Sequence, residues 1–216
     1  MTRETYEKEL SGLREDLISL SGTVTLAIRD SVRFLKSRDM RGAEMLVEAD
    51  ENINHRCYSI EEDCLKIIAT QQPVAGDLRL LFSVLQITTE LERIADYAKG
   101  IARISLKLGR TPLVKPLIDI PRMTEIACTM LEDAIRAFID DSDRTAREIP
   151  ARDVEIDMLY EQIQRELLTF FISEPSRLEG SMMLLWVAHN IERIGDRVIN
   201  ICERTIFNVT GEVVDL

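Results

Sequence analysis

Two stretches of the sequence place carboxylates one helical turn apart: Glu92-x-x-x-Asp96 and Glu192-x-x-x-Asp196. On an α-helix, residues four apart stand one above the other, so each pair projects from one face and repels by a few tenths of a kcal/mol. At about 100° per residue, Glu192 and Asp196 fall on the flank of the stripe formed by Leu184, Val187, Ile191, Gly195, Val198 and Cys202. Asp153 and Asp157 take a comparable flank position beside Ile156, Tyr160, Ile163 and Leu167. Acids half-buried between neighbouring helices need a counter-charge, from arginine or from a metal ion. Arg93 and Arg193 follow each Glu by one residue, about 100° round the helix, and are expected to pair across to another helix in a salt-bridged seam. The other reading is an oxygen-rich cation site in each half, suited to magnesium, manganese, iron or zinc. His189, three residues before Glu192 on the same face, is a further candidate ligand. His55 lies in a polar run and is expected to be solvated.

Other chemistry is thin. The sequence has no Ser-His-Asp constellation, nucleophile elbow, Gly-rich phosphate loop or zinc-protease spacing. Neither histidine stands in the Glu-x-x-His pattern of di-iron bundles. Met182-Met183 before Trp186 reads as core packing. With 27 basic and 38 acidic residues the net charge is −11, the wrong sign for non-specific nucleic-acid binding. Cys57, Cys64, Cys128 and Cys202 form no Cys-x-x-Cys motif. Cys57 and Cys64 lie two turns apart along one helical face and read as packed thiols in a reducing compartment. The opening residues are charged, without the apolar core of a signal peptide. The longest apolar stretches, such as Leu78 to Ile87, broken by Arg79, Ser83 and Gln86, are not expected to span a membrane. Together these features give the expectation of a cytoplasmic protein.

The elements that must position these acids are long helices. Only 9 Gly and 6 Pro punctuate 216 residues, and the apolar residues recur at three and four spacing, as in Leu10, Leu13, Leu17, Leu20 and Val24. Strand-like alternation is absent. Breakers at Ser37-Arg38-Asp39, Gln71-Gln72-Pro73, Gly109 to Pro121, Asp140 to Asp143 and Glu174-Pro175 leave six predicted helices, near 4–36, 40–70, 75–108, 118–140, 144–172 and 176–208. Such lengths point to an antiparallel bundle.

The chain also repeats itself. Glu92, Arg93, Ile94 and Asp96 recur 100 positions later as Glu192, Arg193, Ile194 and Asp196, and Asp50, Ile53 and Asn54 align with Asp153, Ile156 and Asp157. The predicted fold is all-α, six long helices forming two similar three-helix bundles, with residues 1–110 as the first and 111–216 as the second.

The stretch Gln72-Pro-Val-Ala-Gly-Asp77-Leu78-Arg79-Leu80, followed by Glu90-Leu-Glu-Arg-Ile-Ala-Asp96, resembles the first-half signature of the PhoU phosphate-uptake regulators. Asn190-Ile-Glu-Arg-Ile-Gly-Asp196 resembles its second-half partner. The resemblance implies two three-helix bundles and multinuclear iron or zinc bound by paired carboxylates, the metal identity being open among iron, zinc, manganese and magnesium. Carried over by position, the metal ligands are Asp50, Glu92 and Asp96 in one half and Asp153, Asp157, Glu192 and Asp196 in the other. Asn54 stands where an acid is expected, which lowers the charge of the first set. The resemblance further implies a homodimer and a regulatory, non-enzymatic role. Such a protein restrains phosphate import and keeps the phosphate-starvation response off when phosphate is plentiful. The implied partners are the ATP-binding subunit of a phosphate ABC transporter and a phosphate sensor histidine kinase, at the cytoplasmic face of the membrane. A carboxylate-bridged enzyme and a metal-free helical adaptor are the alternatives. Asp77 and Arg79 are expected to fix the entry to the third helix rather than to bind a ligand.

Overall fold

The computed structural model describes residues 3–216, with side chains from residue 6 onward, so the first residues of the charged opening stretch lie outside it. Helices α1 (Arg3–Ser37), α2 (Met40–Gln71) and α3 (Ala75–Leu108) form one bundle. Helices α4 (Asp119–Ile139), α5 (Asp143–Glu148), α6 (Asp153–Ser173) and α7 (Leu178–Thr210) form the other, and no strand occurs among the described residues. The turns follow local chemistry. Asp39 accepts a hydrogen bond from the Gly42 amide at 2.9 Å and opens α2, Ser142 accepts one from Thr145 and opens α5, and Gly211 closes α7 at φ 79°.

One expected helix is broken. The run near 144–172 divides at Pro150, which has no amide proton and whose ring conflicts with the carbonyl four residues earlier. The chain tightens into a 3-10 turn, Ile149–Arg152, and resumes as α6 at Asp153. This break makes Asp153 the first residue of a helix, whereas its counterpart Asp50 lies within the continuous α2.

Helices α3 and α7 pack most extensively, antiparallel, with α1 against α4 beside them and α2 and α6 on the outside. The antiparallel register is fixed by side chains. Arg79 donates to the Asn208 carbonyl at 3.3 Å and Ser83 to the Arg204 carbonyl at 3.3 Å, and the rings of Phe82 and Phe207 meet edge-on at 5.8 Å. Arg79 therefore ties the start of α3 to the end of α7, the structural role expected of it. The α1–α4 side is joined by Arg29, which reaches Glu125 at 3.2 Å and Glu132 at 2.8 Å. One continuous core runs through both bundles, including Leu17, Ile28, Ile94, Phe138 and Ile194. All four cysteines are free and buried in it, where desolvation pushes each thiol up to about 12.

The seam also buries a charge. Glu90 accepts from Arg93 at 3.2 Å, from Asn200 at 3.2 Å and from Arg197 at 3.5 Å. Truncating one partner of a buried pair strands the other, at a cost of about 3–5 kcal/mol. Glu90→Ala is therefore expected to lose stability on that scale in urea denaturation. Glu90→Leu combined with Arg197→Leu is expected to lose clearly less, because no buried charge is left uncompensated and Arg93 is exposed to water.

Candidate metal centre

The second-half acids meet where α6 packs on α7. Asp153 is 8% exposed, and its Oδ1 has no hydrogen-bond partner. This oxygen lies against the backbone of Gly195, where an added Cβ would stand only 2.2 Å from it. Glycine at this position, one residue before Asp196 and three after Glu192, makes the room that the carboxylate occupies. Glu192 is partly buried, and its Oε2 also lacks a hydrogen bond. His189 Nδ1 is 3.3 Å from that oxygen, and its ring packs near Tyr160 and Trp186 with centroids at 6.1 and 5.7 Å. Asp157 is exposed on the next turn of α6.

These charges oppose one another. Burial, then Asp157, Asp196 and Glu192 in that order, push the Asp153 carboxyl up to about 7. Burial and Asp196 raise Glu192, against the pull of His189 and Arg193. Burial, then Asp196 and Glu161, raise Asp157. Among the described residues, the close guanidinium is that of Arg193, whose Nη1 is 2.5 Å from Asp196 Oδ2. Arg193 also bonds Tyr97 on α3.

The first half has a different solution. Asp50, 3% exposed, accepts from Lys99 Nζ at 2.5 Å and from Asn54 Nδ2 at 3.4 Å, both on Oδ2. The same Nζ is 3.5 Å from Asp96 Oδ1. Hydrogen bonding to Asp50 raises the Lys99 pKa against the cost of burial. Glu92 faces this group, and its pKa is raised by burial and by Asp96, Glu61 and Asp50. Lys99 and Glu61 were not among the residues expected from the sequence. Both carry a readable signal: Lys99 is three residues beyond Asp96 and seven beyond Glu92, and Glu61 is seven beyond Asn54, each on the acid-bearing face.

Two expectations need correction. Arg93 and Arg193 do not find acids on other helices. Arg93 pairs with Glu90 at 3.2 Å and Arg193 with Asp196, because a partner three residues away on the same helix is within easy reach of a guanidinium. Met183 is in the core, but Met182 and Trp186 are 47% and 56% exposed. With Leu178 they form a stripe at four-residue spacing that faces away from the α3–α7 seam. His55, as expected, is exposed, beside Glu51.

Among the described residues, no group of three or more His, Cys, Asp and Glu side chains stands close enough to hold one metal ion in common. In the second half Asp196 is paired with Arg193 instead. The donor chemistry there still fits a hard or borderline cation: four carboxylates, with one oxygen each of Asp153 and Glu192 buried without a hydrogen bond. The first half does not fit one, because an ammonium already stands between Asp50 and Asp96.

An antiparallel pair of central helices, each flanked by an outer helix that brings acids against an i, i+4 carboxylate pair, defines a duplicated all-α bundle. The PhoU domain matches this chain twice, over residues 17–105 and 120–205, and the chain belongs to the PhoU family. A phosphate-specific transport system accessory protein PhoU homolog of Clostridium acetobutylicum is 34% identical over all of this chain and 99% of its own length. The phosphate-specific transport system accessory protein PhoU of Escherichia coli is 33% identical over 96% of this chain and 86% of its own. The crystal structure of the phosphate transport system regulatory protein PhoU from Streptococcus pneumoniae superposes with a TM-score of 0.90 at 28% identity, covering 98% of this chain and all of that one. PhoU from Pseudomonas aeruginosa gives 0.90 at 30% identity.

The raised Asp153 pKa has a measurable consequence in chelator. Between the usual aspartate value of ~3.9 and about 7, the native protein holds a proton that the unfolded chain has released. Stability is therefore expected to be highest at the acid end of this window, to fall as pH rises through it, and to level off above it. Asp153→Asn is expected to flatten that slope in denaturant titrations across the same pH range.

Proposed function

We propose that this chain is a non-enzymatic regulator of phosphate uptake and phosphate-starvation signalling, and that Asp153, Asp157, Glu192 and Asp196 hold a divalent or trivalent cation. The regulatory reading rests on family membership over the full chain and on proteins named as accessory to phosphate transport that match it from end to end. Its partners on this reading are the ATP-binding subunit of a phosphate ABC transporter and a phosphate sensor histidine kinase, met at the cytoplasmic face of the membrane. No helix among the described residues is long and apolar enough to cross a membrane, which fits a peripheral role. Deleting the protein is expected to leave phosphate-starvation genes on in phosphate-replete medium. Normal shut-off in the deletion strain would overturn the assignment.

The observation that carries the metal reading is the Asp153 carboxylate, buried without a partner on one oxygen and set against Gly195. A bound cation would supply the positive charge that four acids and one arginine leave missing. Asp153 and Glu192 would present their unpartnered oxygens to it, Asp157 would approach from the exposed side, and Asp196 would have to turn from Arg193. His189 is placed to add a nitrogen donor or to hold Glu192. Iron, zinc, manganese and magnesium all suit such oxygen-rich donors.

A ligand that binds only the folded state stabilises it by about 2.7 kcal/mol at a hundredfold excess over Kd. Glu192→Gln with Asp196→Asn is expected to abolish most of the stabilisation by Mn²⁺ or Fe²⁺. Glu92→Gln with Asp96→Asn is expected to leave most of it in place. In chelator the second-half variant is expected to melt at or above wild type, since acid–acid repulsion is relieved. Thermal melts of the three proteins with and without metal decide the matter. An equal metal response from all three would sink the site.

A further inference from the structure

We infer that the first half carries its own cation: the Lys99 ammonium occupies the position between Asp50 and Asp96 that a metal ion would need, and this half takes no metal. The inference builds on the second-half cation site proposed above and concerns a different set of residues.

Three differences between equivalent positions of the two repeats support it. Lys99 Nζ stands 2.5 Å from Asp50 Oδ2 and 3.5 Å from Asp96 Oδ1, bridging an acid of α2 and an acid of α3. The equivalent residue of α7 is Ile199, which has no charge to offer. Asn54, in the place of Asp157, donates its amide to Asp50 Oδ2 at 3.4 Å, so it supports a carboxylate instead of adding one. Residue 95 is alanine where α7 has Gly195, so α3 carries a methyl group at the position where, on α7, a Cβ would stand 2.2 Å from Asp153 Oδ1.

Each exchange follows from the one before. A lysine side chain that neutralises two acids removes the need for a fourth carboxylate. It draws Asp50 toward Nζ and releases the glycine requirement. A mobile divalent ion would have to displace an ammonium that the chain holds at fixed position, with the Lys99 side chain only 19% exposed. Asp50 Oδ1 remains buried without a partner, and it is the oxygen a metal would take first if Lys99 were gone.

The test uses full-length protein carrying Glu192→Gln and Asp196→Asn, which silences the second-half acids, and Mn²⁺ as the probe. This parent is expected to bind no Mn²⁺ in equilibrium dialysis and to melt at the same temperature in Mn²⁺ and in chelator. Adding Lys99→Met strands the Asp50 carboxylate, and the melt is expected to fall by on the order of 10 °C in chelator. Mn²⁺ is expected to bind this variant and to restore most of the loss. Adding Asp50→Asn to Lys99→Met removes the stranded charge, so that variant is expected to recover stability in chelator and to ignore Mn²⁺. If Lys99→Met does not fold in chelator, its refolding on addition of Mn²⁺ gives the same reading, with the Asp50→Asn combination as the folded control. Mn²⁺ bound by the parent would overturn the inference, since the ammonium would then not exclude metal. So would a Lys99→Met protein that loses stability yet neither binds Mn²⁺ nor recovers with it, because Lys99 would then be an ordinary ion-pair partner. Wild type is measured alongside: if it binds no more Mn²⁺ than the parent, the second-half site fails, while the Lys99 comparison still stands.

Discussion

A carboxylate packed between two helices has to meet a positive charge, and most of what distinguishes the two halves of this molecule follows from how that charge is met. Asp50 and Asp153 occupy equivalent places, each nine-tenths or more buried against the inner helix of its bundle. Water cannot compensate them, and the cost of an isolated buried ion is several kcal/mol. In the first half a lysine one turn beyond the acid pair answers the requirement from within the chain. In the second half no described residue pairs with Asp153, and its carboxyl is pushed up to about 7. The burial itself is dictated by apolar neighbours, Ile53 beside one and Ile156 beside the other, which must reach the core whatever the acids prefer.

The α3–α7 seam makes this arrangement rigid. The two central helices run antiparallel, tied at one end through Arg79 and the Asn208 carbonyl and in close approach at the other, where Gly100 faces the Asn190 side chain. Each acid pair faces its own outer helix. The outer helices α2 and α6 contact only their own bundle, whereas α1, α3, α4 and α7 knit the two bundles together. The acids therefore lie at the least constrained packing surfaces of the fold. Changes in their charge alter how α2 or α6 is held without disturbing the shared core.

Much of this was legible in the sequence, for physical reasons. Three-and-four spacing of apolar residues and the scarcity of Gly and Pro determine long helices almost without regard to tertiary context. Duplication exposed the equivalence of Glu92-x-x-x-Asp96 with Glu192-x-x-x-Asp196, and so drew attention to the acids. The break at Pro150 does not show in the apolar rhythm, which continues through it, although the missing amide is decisive. The partners of Arg93 and Arg193 were not legible. Helical spacing gives the direction of a side chain at its root, while a long guanidinium stem can fold back to an acid on its own helix. Met182 and Trp186 mislead for a related reason. An apolar residue on an outer helix stripe is buried only if another element covers it, and no amount of local pattern says whether one does.

Lys99 shows where reading one sequence against itself gains most. A single copy of the motif offers a lysine near three acids, which is an ordinary surface arrangement. Beside the second copy, the same lysine is seen to replace an isoleucine, at the same time as an asparagine replaces an aspartate and an alanine replaces a glycine. The three exchanges share one electrostatic cause, and they carry one consequence. Stabilisation by an ammonium built into the chain does not depend on any concentration, whereas stabilisation by a bound ion grows with the logarithm of the free ion. With a cation bound as proposed, one outer helix, α2, would be held at constant strength. The other, α6, would be held only as firmly as the charge supplied to Asp153, Asp157, Glu192 and Asp196 allowed.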